Sequence, residues 1–241
     1  RAGPATVTMT QSSMPHSRRD PVTQQMLDGM PISSLGRFVY VFGGTLGAGL
    51  GVTSGGRADY VNYVVPGILL MTVASSAQGT AISVAMDMTE GIIARFRTMA
   101  ISRSAVLTGH VVGSMAQTML GLIPVIGVAL LIGFRPTADL IRWIIAFGVL
   151  AMITFALIWL SVALGMVSKS VETASNLPMF LMLLPFLGSG FVPTDSMPAS
   201  MQRFAENQPF TAFNETLRGL LMGTPIGNSG LLTTAWCAAI A

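Results

Sequence analysis

The chain has 241 residues, 51% of them hydrophobic and 10% charged, against roughly 25% charged in soluble domains, and a mean hydropathy of +0.66. That composition excludes a soluble globular domain and describes an integral membrane protein. The net charge of +3 comes from 12 arginines and one lysine that form no basic run, which excludes nucleic acid as a partner; one cysteine, Cys237, makes no internal disulfide, and two distant histidines, His16 and His110, give no metal-ligand spacing.

Residues 1–37 read as a polar, disordered cytoplasmic leader without the apolar core of a signal peptide. Within it Asp20 and Pro21 form an N-cap and first-turn pair, and Val22, Met26 and Met30 recur every four residues until Gly29 and Pro31 end the pattern. This is either a brief amphipathic helix on the membrane surface or a helical turn of no consequence. Arg1 at one end and an apolar run cut off at Trp236 to Ala241 at the other make the chain read as a fragment at both ends.

A single transmembrane domain is expected over 38–241. Residues 38–52 are apolar but short: about 15 residues give roughly 22 Å, less than the roughly 30 Å hydrocarbon core, so they read as part of a first span. Gly43, Gly47, Gly51 and Gly55 lie four apart, which fits either helix packing in lipid or a Gly-rich external turn. They form no nucleotide loop, since no Gly-Lys-Ser/Thr follows and Lys169 sits in Val-Ser-Lys-Ser. Residues 61–86 form the second span, with Pro66, Ser75, Ser76 and Gln78 as its polar or irregular positions; such groups bond a neighbouring helix or touch cargo.

The loop 87–103 is the densest patch of charge in the chain. On a 3.6-residue period Met88, Ile92, Phe96 and Met99 share one stripe and Asp87, Glu90 and Arg97 the other side, as in a short amphipathic helix. Arg95 and Arg103 sit close to the apolar stripe, where they snorkel or face a partner protein.

The third span covers about 104–132, carrying Gly109, Gly113, Gln117 and a kink candidate at Pro124; His110 near its start fits an interfacial hydrogen bond better than a proton relay. The fourth covers 143–167, opened by Trp143 of the aromatic belt, and the fifth 173–192, bent by Pro178 and Pro185. Residues 193–230 hold two helices too short to span, one starting at Pro198 and ended by Pro209, the next carrying Phe210, Phe213 and Leu217 with Glu215 and Arg218 spaced to pair. They read as a re-entrant hairpin or as interfacial helices. Residues 231–241 begin a last span. Counting arginine and lysine, eight on the side of the leader and the 87–103 loop against five on the other, places that loop in the cytoplasm.

Three stretches together resemble the daunorubicin-resistance-type branch of the type 2 ABC transporter permeases: Phe38-Val-Tyr-Val-Phe-Gly-Gly44; the loop from Glu90 to Arg103; and Phe191-Val-Pro-Thr-Asp-Ser-Met-Pro198 running on to Gln208-Pro-Phe and Leu217-Arg-Gly-Leu220. The resemblance implies an all-α fold, a type 2 ABC exporter transmembrane domain of six-helix design, with first and last helices incomplete here. It also implies a second permease copy as homodimer, or a paired permease, and separate ABC-type ATPase subunits that carry ATP and Mg, none bound by this chain. On the same ground Glu90, Gly91, Arg95, Phe96, Arg97 and Arg103 belong to a cytoplasmic coupling helix that docks on the ATPase, and Pro193, Asp195, Pro198, Pro209 and Arg218 to an extracellular re-entrant hairpin. Residues 28–37, with Pro31, Ser33, Ser34 and Gly36, depart from the continuous apolar run expected before Phe38.

The residues agree with this independently. There is neither a phosphate loop nor a buried acid chain of the kind proton-coupled carriers use, so the energy for transport must come from a partner. No nucleophile, base and orienting group recur at usable positions, so catalysis is not expected. The expected function is an ATP-driven exporter permease in the bacterial plasma membrane, moving drugs, lipids or other amphiphiles. The alternatives are a lipid-linked polysaccharide permease, a non-transporting or truncated membrane subunit, and an ion-coupled carrier. For Glu215 and Arg218 two readings stay open, a local i, i+3 pair or a lining for the cargo's polar head.

Overall fold

The computed structural model describes residues 57–89, 103–168 and 170–241, and the regular elements among them are all helical. The leader, residues 38–52 with their glycines, and most of the 87–103 loop lie outside these residues. Among the described residues three helices are long and apolar enough to cross a bilayer: α1 (Arg57–Thr89), α2 (Arg103–Ile132) and α3 (Leu140–Val167). They form because each is an almost uncharged run of good apolar helix formers, and with no water to satisfy backbone groups in lipid the helix is the only open solution. At 1.5 Å per residue the 28 residues of α3 and the 33 of α1 are about 42 and 50 Å long, so their ends stand in the interface.

Local chemistry sets the remaining boundaries. Asp139 caps α3, its carboxylate accepting from the Leu140 amide at 2.8 Å, which starts the helix three residues before the expected 143. Ser170 caps α4 (Val171–Leu187), accepting from the Thr173 amide at 3.2 Å. This helix stops at Leu187 rather than near 192, because Gly188, Ser189 and Gly190 leave it to pass between neighbouring helices. A 3₁₀ turn at Thr194–Ser196 and α5 (Ala199–Asn207) follow. Pro209, which lacks an amide proton to lose, is the first residue of α6 (Pro209–Met222), and Gly223 ends that helix in the left-handed conformation at φ 72°. The last element is α7 (Ser229–Ile240).

The bundle is built around α1, which packs against α2, α3, α4 and α6. Of its apolar window 67% is buried, against 22% for α2, although α1 is the least apolar of the three long helices. A helix that faces protein can satisfy hydroxyls and amides on its neighbours, which lipid does not offer. The main core joins Val64, Ile68 and Leu69 of α1 to Leu122 of α2, Leu150, Ile153 and Leu157 of α3, and Phe210, Phe213 and Leu217 of α6. Polar positions in α1 bond its neighbours: Ser76 pairs with Thr118 of α2, and the Gln78 amide donates to the Ser175 carbonyl of α4 at 3.0 Å. Backbones also meet directly, since a Cβ on Gly67 would stand 2.6 Å from the Gly190 carbonyl oxygen and one on Gly165 of α3 2.7 Å from that of Ala81.

Chain direction gives the bundle two ends. At one, α1 runs out toward residue 90 and α2 enters from 103; at the other lie the start of α1, the 133–139 connector and residues 188–228. Backbone bonds close the second end, with the Arg135 amide donating to Asn62 Oδ1 at 2.9 Å and the Ala138 amide to the Leu221 carbonyl at 3.2 Å.

Candidate functional site

Of the residues expected to form a coupling helix, Glu90, Gly91, Arg95, Phe96 and Arg97 lie outside the described residues, and Arg103 is the first residue of α2. What the structure shows is how the loop is rooted. Asp87, read from sequence as part of the loop, lies in the last turn of α1, where its carboxylate meets His110 Nε2 of α2 at 2.8 Å. His110 therefore makes a cross-helix contact at the base of the loop. The charge of Asp87 suggests a loop residue, and only its partner 23 positions later explains why it belongs to the helix. Beside this end, α1 and α4 border an open groove of about 370 Å³ lined by Ile82, Glu172, Ser175 and Asn176.

The opposite end gathers the second expected set. Pro193 precedes the 3₁₀ turn that holds Asp195, Pro198 precedes α5, and Pro209 opens α6. Asp195 and Pro198 are exposed and touch neither member of the Glu215 and Arg218 pair in any hydrogen bond or ion pair. Glu215 and Arg218 lie one turn apart on α6, and Arg218 Nη1 donates to Glu215 Oε1 at 2.8 Å.

Arg218 does more than pair locally. Its Nη2 donates to the Ser189 carbonyl at 2.6 Å and to the Tyr63 carbonyl at 3.3 Å, and its guanidinium carbon lies 3.7 Å from the centre of the Tyr63 ring. The Tyr63 hydroxyl donates to the same Ser189 carbonyl at 3.0 Å. A planar fork with five donors suits this task, spanning α6, the 188–190 turn and α1 at once while stacking on an aromatic face. Only 14% of the Arg218 side chain is exposed, against 41% of Glu215, so the acid is the solvent-facing partner that balances a mostly buried cation.

Around this arginine the interior is unusually polar. Gln208, Asn214 and Ser189 are buried, and the side-chain atoms Gln208 Nε2 and Oε1, Asn214 Nδ2 and Oδ1, Ser189 Oγ and Arg218 Nε have no hydrogen-bond partner. An orphaned buried polar group costs about 1–3 kcal/mol, so several in one place need a reason. Tyr63, Ser189, Gln208 and Asn214 were not singled out as site residues from sequence. Their sequence signals are a Gly-Ser-Gly triplet breaking an apolar run at Ser189 and the Gln208-Pro-Phe stretch of the family resemblance.

A family model described as ABC-2 type transporter matches residues 5–222. The chain belongs to the ABC-2 type transporter family. Among known members it is similar to the daunorubicin resistance ABC transporter permease protein DrrB1 of Streptomyces coeruleorubidus, 28% identical over 196 residues that cover 81% of this chain and 67% of that protein. It is also similar to the probable doxorubicin resistance ABC transporter permease protein DrrC of Mycobacterium tuberculosis, 22% identical over 177 residues that cover 73% of this chain and 64% of the relative. The chain thus spans about two thirds of the length of these relatives. As an ABC-2 permease it is a multi-pass membrane protein, and three helices of spanning length stand among the described residues.

Proposed function

We propose that this chain is the membrane-spanning permease subunit of an ATP-driven exporter that moves drugs, lipids or other amphiphiles out of the cytoplasm or inner leaflet of a bacterial plasma membrane. The observation that carries this reading is the ABC-2 family match along residues 5–222. The names of the two relatives, for daunorubicin and doxorubicin resistance, support a drug-like amphiphile as cargo. In the proposed six-helix design residues 38–52 belong to the first span, α1 to α4 are the second to fifth, and α7 begins the sixth. Residues 193–230 form the extracellular re-entrant hairpin, and a second permease completes the pathway.

A separate ABC-type ATPase subunit binds ATP and Mg and docks on the cytoplasmic loop 87–103 through Glu90, Gly91, Arg95, Phe96, Arg97 and Arg103. Closure of the ATPase dimer displaces that loop, which joins α1 directly to α2. Those two helices are tied to each other by Asp87 with His110 and by Ser76 with Thr118, so they move as a pair. Because α1 also packs on α3, α4 and α6, its displacement reaches those three helices directly and α7 through α3 and α6.

The test is co-purification with the ATPase subunit, comparing the unaltered chain with Arg95→Glu plus Arg97→Glu. The unaltered chain is expected to hold the ATPase, and the double change to release it and abolish export with membrane insertion intact. A complex that survives the double change, with normal export, overturns the coupling role.

A further inference from the structure

Eight buried side-chain nitrogen and oxygen atoms among the described residues lack a hydrogen-bond partner, and six of them belong to Ser189, Gln208, Asn214 and Arg218. The other two are single hydroxyls, Tyr60 OH of α1 and Ser161 Oγ of α3, whereas Thr72, Thr80 and Thr154 find a carbonyl one turn back and Thr216 of α6 meets the Thr233 hydroxyl of α7 at 2.9 Å. The excess of unused polar capacity is therefore local to the contact between the 188–190 turn and α6.

The shape of that contact is equally particular. A Cβ on Gly188 would stand 2.5 Å from Gln208 Nε2 and 2.8 Å from Thr211 Oγ1, and one on Gly190 3.5 Å from Asn214 Nδ2. At Gly188 and Gly190 the turn thus lies against the polar face of α6 through glycine backbone, and the side chain that reaches across to it is that of Arg218. On its other side it rests on Gly67 and Tyr63 of α1. A permanent interface in a bundle core gains from apolar, interdigitated side chains. A smooth interface with surplus donors and acceptors suits two surfaces that part and are wetted.

We propose that this seam is the closed form of the exit gate, which parts during turnover to admit water and the uncharged polar groups of the cargo, with Arg218 as the clasp that holds it shut. The proposal rests on the exporter reading given above. Two amides, a hydroxyl and an arginine already neutralised by Glu215 carry no net charge, so the seam receives hydroxyl, carbonyl and amide groups in preference to ions. Arg218 holds the turn and α1 together from α6 through the Ser189 and Tyr63 carbonyls, and releasing it frees both faces.

The experiment uses the full chain with its ATPase subunit in membrane vesicles, with doxorubicin as the transport probe. Ser189→Cys is placed in a Cys237→Ala background, and Ser200→Cys on exposed α5 serves as a reporter of reagent access. Ser189 Oγ makes no bond, so the change removes none. A membrane-impermeant maleimide is applied to each side in turn. Cysteine at 200 is expected to react alike at rest and during ATP-driven transport, and cysteine at 189 at least about tenfold faster during transport, as a minor open state becomes populated. Arg218→Lys, which keeps the charge beside Glu215 but loses the fork, is expected to make position 189 reactive at rest. Tyr63→Phe, which keeps the ring under the guanidinium and loses the bond to the Ser189 carbonyl, should act in the same direction and stands in where the lysine variant does not reach the membrane. Doxorubicin transport with position 189 equally reactive at rest and in turnover overturns the gate, and unchanged resting reactivity in both variants overturns the clasp. Absence of ATP-dependent transport by the unaltered chain, of doxorubicin and of a fluorescent phospholipid in the same vesicles alike, refutes the exporter reading itself, and the gate with it.

Discussion

Gly67 leaves no room for a methyl group: its Cβ would fall 2.6 Å from a backbone oxygen, which cannot rotate away as a side chain would. Gly67→Ala is therefore expected to lower the melting temperature of the detergent-solubilised protein, consistent with an overpacking cost of about 1–3 kcal/mol. Gly148 of α3 supplies the contrast, since it is exposed and nothing comes within 4 Å of an added Cβ. Gly148→Ala should leave the midpoint unchanged or raise it, because alanine is the better helix former by about 1 kcal/mol. His110 and Asp87 are 26% and 31% exposed, and Asp87→Asn is expected to cost less than about 1 kcal/mol in unfolding experiments while weakening the proposed export. The Glu215 and Arg218 spacing is legible in sequence as an i, i+3 pair. Its further partners Ser189 and Tyr63, 29 and 155 residues away, are not, because nothing in local periodicity encodes which carbonyl an arginine will reach.

Helices carry the next level of argument. The spans of α1, α2 and α3 stand out in the sequence because runs free of charge have few alternatives in lipid. The end of α4 does not stand out, since the apolar run continues to Val192 while the helix stops after 17 residues, about 26 Å, where the glycines meet Gly67 and the polar face of α6. Hydropathy reports what a segment prefers to its solvent, and this boundary is set by what it touches. Between α1 and α2 the Ser76 and Thr118 hydroxyls are both buried, and a double-mutant cycle of Ser76→Ala and Thr118→Val is expected to give a coupling near 0.6 kcal/mol, up to about 2 kcal/mol. A coupling indistinguishable from zero would mean that this hydroxyl pair adds nothing to the packing and to the Asp87 and His110 contact that also join these helices.

For the molecule as a whole, composition alone is enough to place the chain in a membrane, while sidedness depends on arginine counts with a narrow margin. The bundle sharpens that expectation: the 133–139 connector and residues 188–228 share one end, bound through Ala138 and Leu221. Cysteines at Asp139 and Ser200 should therefore react with an impermeant reagent from the same side, and one at Thr98, in the loop between α1 and α2, from the other. The same bundle leaves Leu120, Ile123 and Leu131 of α2, Ile141, Ile144 and Phe155 of α3, and Met179 and Phe180 of α4 exposed, surface suited to acyl chains and, on the proposed reading, to a second permease. The burial of α1 has a further consequence, for biogenesis. This helix leaves the ribosome before α2, α3 and α4, yet it is the least apolar of the long helices and depends on those successors for its polar contacts. A nascent chain ending at Thr89 should partition poorly from the translocon into lipid, and one extended to Val167 efficiently, so α1 waits for its neighbours and the bundle assembles from the outside inward around a helix made before them and settled after them.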